Sequence, residues 1–443
     1  MLLHLSTELG FDRPTNLIVM VADGFGPAQL TLARLASPDG KLLLDELLVG
    51  KISTASSDSY VTDSAAGATA YSCGLKTFNG GVAVKPDGTA CATLLEASKA
   101  AGMRTGMVVT SELTHATPAA FSSHSVSRAN FALIGRQLLE ANVDVAFGGG
   151  EKIFKEYGMW DYALSHFNVI TQKAQLAWTN LTRPLLGVFA DNHLTYMIDQ
   201  GPEPTLAEMT SSAISLLTNK KGFFLMVEGS RIDHACHEND VATAVQEVLA
   251  FDATVRKVVK FAEEDENTLV VIVADHETGG MSIGNGLYRY NLTELEGIHA
   301  SIERMVANVA KPYNEQSVIR TVKNMTTIFR DGIDEIYFPT SLNSSNTTTT
   351  TIRTYITNYL NKRTQTGWTT GVHTGVDVNL FAYGMGVTNF IGGIKSKSAI
   401  GTKIAEVMKF DLEKLTKTLE GVATNSSSAK RGANSFGSDG YHY

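Results

Sequence analysis

Short runs of apolar, largely β-branched residues recur along the chain, at Leu17–Ala22, Thr105–Thr110, Val143–Phe147, Phe223–Val227, Leu269–Ala274 and Val378–Tyr383. Runs this short and this continuously apolar predict strands covered on both faces. Between them lie segments with helical spacing, such as Thr205–Leu217 and a long one after Asp233. In the long one, Val241, Val245, Val248 and Leu249 fall at i, i+4, i+7 and i+8, one apolar stripe. Strands alternating with helices predict an α/β fold, a three-layer sandwich with a large, mostly parallel central sheet flanked by helices. The rhythm breaks from about Gly284 to Trp368, a stretch that holds the low-complexity run "SLNSSNTTTTT". It predicts an insertion, 284–368, within a single domain spanning 1–443, and the segment 421–443 predicts a flexible tail.

An apolar content of 43% and a charged content of 19% describe an ordinary globular chain. The net charge of −8 argues against a nucleic-acid partner, which rewards basic surfaces. The chain holds no continuous apolar run of about 18 residues, so no transmembrane segment is expected. The start, "MLLHLSTELGFDRP", lacks the basic and long apolar regions of a signal peptide. Asn-x-Ser/Thr sites at Asn180, Asn291, Asn324, Asn343, Asn346 and Asn425 nevertheless suit a glycoprotein on the secretory route. A secreted, cell-surface or vacuolar/periplasmic-type location is the expectation. Of the 3 cysteines, Cys73 and Cys91 flank a Gly-rich segment and could close a short loop, leaving Cys236 over.

Chemistry-bearing residues follow the strands. "LIVMVADGFG" ends in Asp23, and "FFLMVEGSRIDHACHEND" carries Glu228, then Asp233, His234 and His237. "VVIVADHETGG" ends in Asp275, His276 and Glu277, and "TTGVHTGVDVNLFAYG" sets His373 just before a strand. Ligands of open parallel sheets bind beyond the carboxyl ends of the strands, so separate strands deliver carboxylates and imidazoles to one rim. Taken singly, each has a plain structural explanation. Asp-Gly after a strand is most often a turn, Asp233 and His237 share one helix face as a solvated or capping pair, and His373 alone is an ordinary histidine. Gathered together they would repel by about 1 kcal/mol or more per close like pair, and divalent cations remove that cost. Nitrogen and oxygen ligands without thiolates suit zinc, while an all-oxygen set suits magnesium. The run "YVTDSAAGATAYSCG" poses a choice: Asp63 and Ser64 either cap a helix together or tune a nucleophile.

The motifs "VADGFGPA", "VTDSAAGATA", "ELTHATPAAFSSHSVSR", "VEGSRIDHACHEND", "VADHETGG" and "GVHTG" resemble, in order and spacing, those of the alkaline phosphatase family, its eukaryotic-like branch above all. The resemblance covers most of residues 15–410. It implies hydrolysis of phosphate monoesters of broad type through a covalent phosphoserine at Ser64, with Arg128 gripping phosphate oxygens and Asp63 orienting Arg128. It further implies two zinc ions and one magnesium per chain. One zinc falls to Asp233, His237 and His373, the other to Asp275, His276 and Asp23 with Ser64. The third site falls to Glu228, Thr117 and the second oxygen of Asp23. His115 and His234 stand near the phosphate. An imidazole at His115 shifts the third site toward zinc or cobalt, and His234 brings a titratable charge. A homodimer with a crown-like insertion is the family's habit and is expected here.

Two other readings compete. A phosphodiesterase, sulfatase or phosphomutase of the same metal-dependent superfamily would use another nucleophile or metal set, and no formylglycine motif of a sulfatase is found. A zinc-storing or glycan-presenting surface protein would keep the ligands without the Asp63-Ser64 and Arg128 machinery. Turnover of an aryl phosphate discriminates them.

Overall fold

The computed structural model describes residues 13–286, 288–311, 313–328, 347–422 and 424. A 10-stranded sheet runs through it in the order β14-β2-β13-β8-β1-β7-β3-β4-β6-β5. These strands are β1 (Asn16–Ala22), β2 (Leu48–Ser53), β3 (Arg104–Glu112), β4 (Val145–Gly149), β5 (Asn168–Ile170), β6 (Leu185–Val188), β7 (Phe223–Gly229), β8 (Thr268–Val273), β13 (Val378–Gly384) and β14 (Ile394–Ser396). Only β13 runs antiparallel to its neighbours, β2 and β8; the other pairs in the sheet are parallel. Every residue of β1, β7 and β8 is buried, which is why their sequences are continuously apolar instead of alternating. Helices Pro27–Ala36, Leu206–Leu217 and Val241–Asp265 pack together as one group, and Ser64–Cys73, Leu94–Ala100, Ala116–Ser122 and Lys397–Met408 as another.

The α/β expectation is met, and each of the six predicted strands is present, extended at its ends by a residue or two or shifted. The strands missed, β2, β5, β6 and β14, lie toward the two edges of the sheet. β2 (LVGKIS) is half-exposed and carries a glycine and a lysine, and β5 and β14 have 3 residues each, too few to show a period. The long helix expected after Asp233 is two helices, Arg231–His237 and Val241–Asp265. Asn239 takes a left-handed φ of +53° between them, and the Asp240 side chain accepts the Thr243 N–H at 3.1 Å as an N-cap. Thr205 and Glu208 form a capping box at the start of Leu206–Leu217.

Two short antiparallel ladders follow β8. β9 (Glu277–Thr278) pairs with β12 (His373–Thr374), and β10 (Met281–Ile283) pairs with β11 (Thr366–Trp368). Between β10 and β11 the chain forms helices Leu292–Glu296, Ile302–Ala307, Glu315–Met325 and Thr349–Thr364. Their Met305, Val318, Val322, Ile352 and Leu360 build a second apolar cluster with Val241 and Val245 of the main body. The residues 329–346 and 425–443, and with them the sites at Asn343, Asn346 and Asn425, lie outside the described residues. Asn180 and Asn324 are exposed, whereas the Asn291 side chain donates to the Arg363 carbonyl at 2.8 Å. Cys73 and Cys91 do meet: they are buried thiols with sulfurs 2.6 Å apart, while Cys236 is buried elsewhere. Among the described residues no helix is long and apolar enough to cross a membrane.

Asp240 also joins the two apolar clusters. Its carboxylate accepts from the Thr243 hydroxyl at 2.7 Å and from the Ile302 N–H at 2.7 Å. Asp240→Ala leaves these buried donors without an acceptor and should lower unfolding free energy by roughly 1–3 kcal/mol. Urea unfolding measures it; a loss below about 0.5 kcal/mol, the scatter of ordinary surface changes, would show that the junction is held elsewhere.

Candidate active site

Strands β8, β1, β7 and β3 are neighbours and parallel, so their carboxyl ends open on one side. Asp23 follows β1, Glu228 is the penultimate residue of β7, and Asp275 and His276 follow β8. His115 and Thr117 begin the helix after β3. Helix Arg231–His237, after β7, sets Asp233 and His237 on one face. The β9–β12 ladder pairs His373 with Thr278 and stacks its ring on His276, centroids 3.5 Å apart. Gly24 makes this approach possible: a Cβ there would lie 2.7 Å from the Asp233 Cα, and its φ is +73°.

The hydrogen bonds dictate which ring nitrogens are bare. His237 Nδ1 donates to the Gly371 carbonyl at 2.8 Å and His373 Nδ1 to the Thr62 carbonyl at 2.9 Å. In the neutral rings their Nε2 atoms therefore carry lone pairs, and these face each other at 3.1 Å. Thr278 spends its single proton on Asp233 Oδ1 at 2.5 Å, so its oxygen accepts from His276 Nδ1 at 3.2 Å. The bare His276 Nε2 then faces Asp275 Oδ2 at 3.2 Å and Asp23 Oδ1 at 3.4 Å. Lone pairs aimed at lone pairs are repulsive, and a cation between them reverses the sign. Asp23 Oδ1, Asp275 Oδ2 and both oxygens of Glu228 are buried without a hydrogen-bond partner. Burial, and then the charges of Asp275, Asp233 and Glu228, push the Asp23 carboxyl well above its usual range. Burial, with Asp275 adding to it, pushes Glu228 up to about 8.

Ligand atoms converge in three groups, each with all its atoms within 4.8 Å of one another: Asp233, His276 and His373; Asp23, Asp275 and His276; and Asp23, His115 and Glu228. His237 Nε2 joins the first at 3.1 Å from Asp233 Oδ2. Thr117 Oγ1 lies 3.4 Å from Asp23 Oδ2, beside the third. The donor sets fit zinc at the first two and a harder ion beside Asp23, Glu228 and Thr117.

Ser64 opens the helix Ser64–Cys73 and is buried, with its Oγ 3.2 Å from His276 Nε2. Asp63 performs two tasks. Its Oδ1 caps the helix by accepting the Ala66 N–H at 3.0 Å, and its Oδ2 holds Arg128 at 3.2 Å. Burial raises the Asp63 carboxyl, but the Arg128 charge and the Ala66 bond win and hold it below the usual range. The other end of the guanidinium meets His115 Nε2 at 3.3 Å.

The chain matches the alkaline phosphatase family profile over residues 14–413. It belongs to the alkaline phosphatase family. Alkaline phosphatase 3 of Bacillus subtilis is 34% identical, the match covering 91% of this chain and 90% of that protein. The alkaline phosphatase of Schizosaccharomyces pombe is 35% identical, covering 92% and 84%. Among solved structures, the cold-active enzyme of a psychrophilic Shewanella superposes with a TM-score of 0.80 at 36% identity, covering 89% of this chain and 99% of that one. As a member of this family the protein is a phosphatase, and phosphate monoesters are its substrates.

Apart from Glu277, the chemistry-bearing residues singled out in the sequence lie at this rim, but one expectation about this alkaline phosphatase changes. His234 was expected to bring a titratable charge. Its Nδ1 instead faces the guanidinium of Arg231 at 2.9 Å, and burial, then His193 and Arg231, hold its basicity well below the usual histidine range. Several contributors went unassigned. Thr278 and Arg231 lie inside quoted motifs without any mark of their roles. His193 stands outside every motif; its ring is 4.4 Å from His234 and 5.7 Å from His115. Lys397 is buried and donates to the Asp275 carbonyl at 3.1 Å behind the site. Glu277 turns away from the rim to Gln29, 2.8 Å from its Nε2.

Metal-free protein should gain about 3 kcal/mol in unfolding free energy for each metal site filled when its ion is supplied at ~100 times the dissociation constant. At pH 9, above the value of about 8 to which Glu228 is pushed, Glu228→Gln removes one of the crowded anions and should raise the stability of the metal-free form and shrink that gain. Thermal unfolding with and without chelator measures both. A metal-free Glu228→Gln protein less stable than metal-free wild type would show that these carboxylates do not repel.

Proposed function

We propose that this alkaline phosphatase transfers the phosphoryl group of its substrate to Ser64 and then to water, with zinc at the Asp233–His237–His373 group and at the Asp23–Asp275–His276 group, and magnesium or zinc beside Asp23, Glu228 and Thr117. The observation that carries the proposal is the setting of Ser64 Oγ, at a buried helix start and 3.2 Å from a bare imidazole nitrogen, among carboxylate oxygens that have no donors. Zinc, when bound, supplies the Lewis acidity that makes a serine alkoxide accessible and offsets charge on the attacking and leaving oxygens.

The chain's own residues supply the rest. Residues Ser64–Cys73 form a helix with its N-terminus at the site, where its unpaired N–H groups and dipole favour an anion. Arg128, aimed by Asp63, presents a planar fork to two phosphate oxygens. Asp63, held anionic by its partners, serves as an orienter, not a proton acceptor. In the first step the Ser64 Oγ–P bond forms as the ester P–O bond breaks and the alcohol leaves. In the second, water attacks phosphorus from the side the alcohol vacated, releasing inorganic phosphate and restoring the hydroxyl. Asp233, His237 and His373 line the side proposed for the leaving oxygen and the water.

The third site is supported by relatives at 28% and 27% identity. Structures of the alkaline phosphatase of the Antarctic bacterium TAB5 with one histidine replaced by aspartate or by glutamate carry magnesium in a site named M3. In this chain His115 groups with Asp23 and Glu228, so an imidazole beside the third metal biases it toward zinc or cobalt. A homodimer in a secretory or periplasmic-type compartment completes the proposal.

Ser64→Ala should abolish the phosphoenzyme trapped on acid quench and lower aryl phosphate turnover by roughly 10³-fold or more, the scale of losing a nucleophile, while zinc content stays at the wild-type level. Retained burst kinetics would sink the assignment. Light scattering at micromolar concentration should give twice the 47.7 kDa chain mass; a monomer mass would reject the dimer.

A further inference from the structure

Of the two acidic residues in "VADHETGG", Asp275 faces the ligand cluster and Glu277 does not. Glu277 is buried, and none of the three converging groups includes it. Its carboxylate is instead filled by protein donors. Oε1 accepts from Gln29 Nε2 at 2.8 Å and from the Met281 N–H at 3.3 Å. Oε2 accepts from the Gly280 N–H at 3.2 Å and from the Thr374 hydroxyl. These donors come from three directions: helix Pro27–Ala36, the turn that opens β10, and strand β12.

Residues directly opposite one another in an antiparallel ladder send their side chains to the same face. The β9–β12 ladder sets Thr278 opposite His373 and Glu277 opposite Thr374. The first pair makes the front of the ladder. There Thr278 donates to Asp233 Oδ1 at 2.5 Å, and His373 Nε2 lies 3.6 Å from the same oxygen and 3.1 Å from His237 Nε2. The second pair makes the back, closed by the bond from Thr374 to Glu277. A ladder of two residues per strand is marginal without such support. Its strand β12 also returns from a long excursion: of the ligand residues named above, His373 alone follows the segment 284–368.

We infer that Glu277 is a positioning residue for the zinc at Asp233, His237 and His373: by latching Thr374 from behind, it holds β12 against β9 and keeps His373 Nε2 with the other two ligands. The inference rests on the proposed zinc at that group. Gln29 and the Gly280 and Met281 N–H groups fix the carboxylate, so it cannot follow Thr374 if β12 shifts. Cutting the latch leaves every ligand chemically intact but lets one of three drift. Apparent affinity then falls by the fraction of time for which the ligand set is assembled. The group Asp23, Asp275 and His276 takes no ligand from β12 and is spared.

The test uses the zinc- and magnesium-loaded enzyme and three variants. Thr374→Val deletes the latching hydroxyl and keeps the side-chain shape, whereas Thr374→Ser keeps the hydroxyl. Glu277→Gln keeps the volume but turns an amide NH₂ toward groups that are themselves donors. Release of zinc to a colorimetric chelator gives the rates, and zinc-edge anomalous diffraction from chelator-treated crystals shows which site has emptied. In Thr374→Val and Glu277→Gln, zinc should leave the Asp233–His237–His373 site about tenfold faster than in wild type, the low end for an outer-sphere partner. Zinc beside Asp275 and His276 should leave at the wild-type rate. Thr374→Ser should retain both ions as wild type does. Added zinc should return most of the turnover lost in the other two variants, which a purely structural fault would not permit.

Wild-type zinc release from Thr374→Val overturns the inference, and this milder variant decides the matter even where Glu277→Gln fails to fold. Equally accelerated release from both zinc sites overturns it too, as does a Thr374→Ser enzyme that loses zinc as fast as Thr374→Val. A lower unfolding temperature of the metal-free variants with unchanged zinc release would make Glu277 merely structural. Failure of the underlying zinc reading would appear separately, as an undiminished zinc content in His373→Ala.

Discussion

Asp23, Glu228, Asp233 and Asp275 are packed into one buried volume at the carboxyl edge of the sheet, and the rest of the active site answers to that crowding. Their backbones cannot drift apart to relieve it, because β1, β7 and β8 are consecutive strands locked in register. Water cannot screen them, since all are at most 2% exposed. The surrounding groups make the crowding tolerable in a directed way. Backbone carbonyls and Thr278 take the outer protons of His237, His373 and His276, so that each ring turns a lone pair inward. A set of acceptors with no donors among them is unstable by itself and becomes a preorganised cradle in the presence of divalent cations.

The nucleophile's helix meets a related demand by being small. Residues Ser64–Cys73 are all buried, and a Cβ on Gly67 would lie 2.9 Å from the Asp275 Cβ. Alanine, glycine and serine let this helix approach the carboxylate cradle closely, at the expense of any amphipathic stripe. Asp63 resolves the choice between cap and tuner by being both, since its two oxygens face different partners. One carboxylate thereby couples the start of the helix to the orientation of Arg128.

Much of this was legible in the chain. Central strands buried on both faces write themselves as unbroken apolar runs, and the residues that follow them carry the chemistry, so the sheet's core and the convergence of Asp23, Glu228, Asp275 and His276 could be foreseen. What was not legible depended on partners distant in sequence. The depressed basicity of His234 comes from burial, then from His193 and Arg231, and Arg231 is itself held by Tyr196 and Glu303. His193 and Lys397 reach the site from loops and helices without any local pattern. Edge strands such as β2 are half-exposed and short, so their alternation is weak. The break at Asn239 went unseen because the apolar stripe resumes immediately beyond it, and only the Asp240 cap marks the interruption.

The paired ladders β9–β12 and β10–β11 form a neck. Everything from residue 284 to 365 leaves and returns through it, and His373 is seated by the ladder on the near side. Because the entropy of closing a loop grows only slowly with its length, what hangs beyond the neck can be lengthened, shortened or exchanged without unseating that histidine. Evolution can therefore graft whole caps onto the same catalytic body, and so can an engineer.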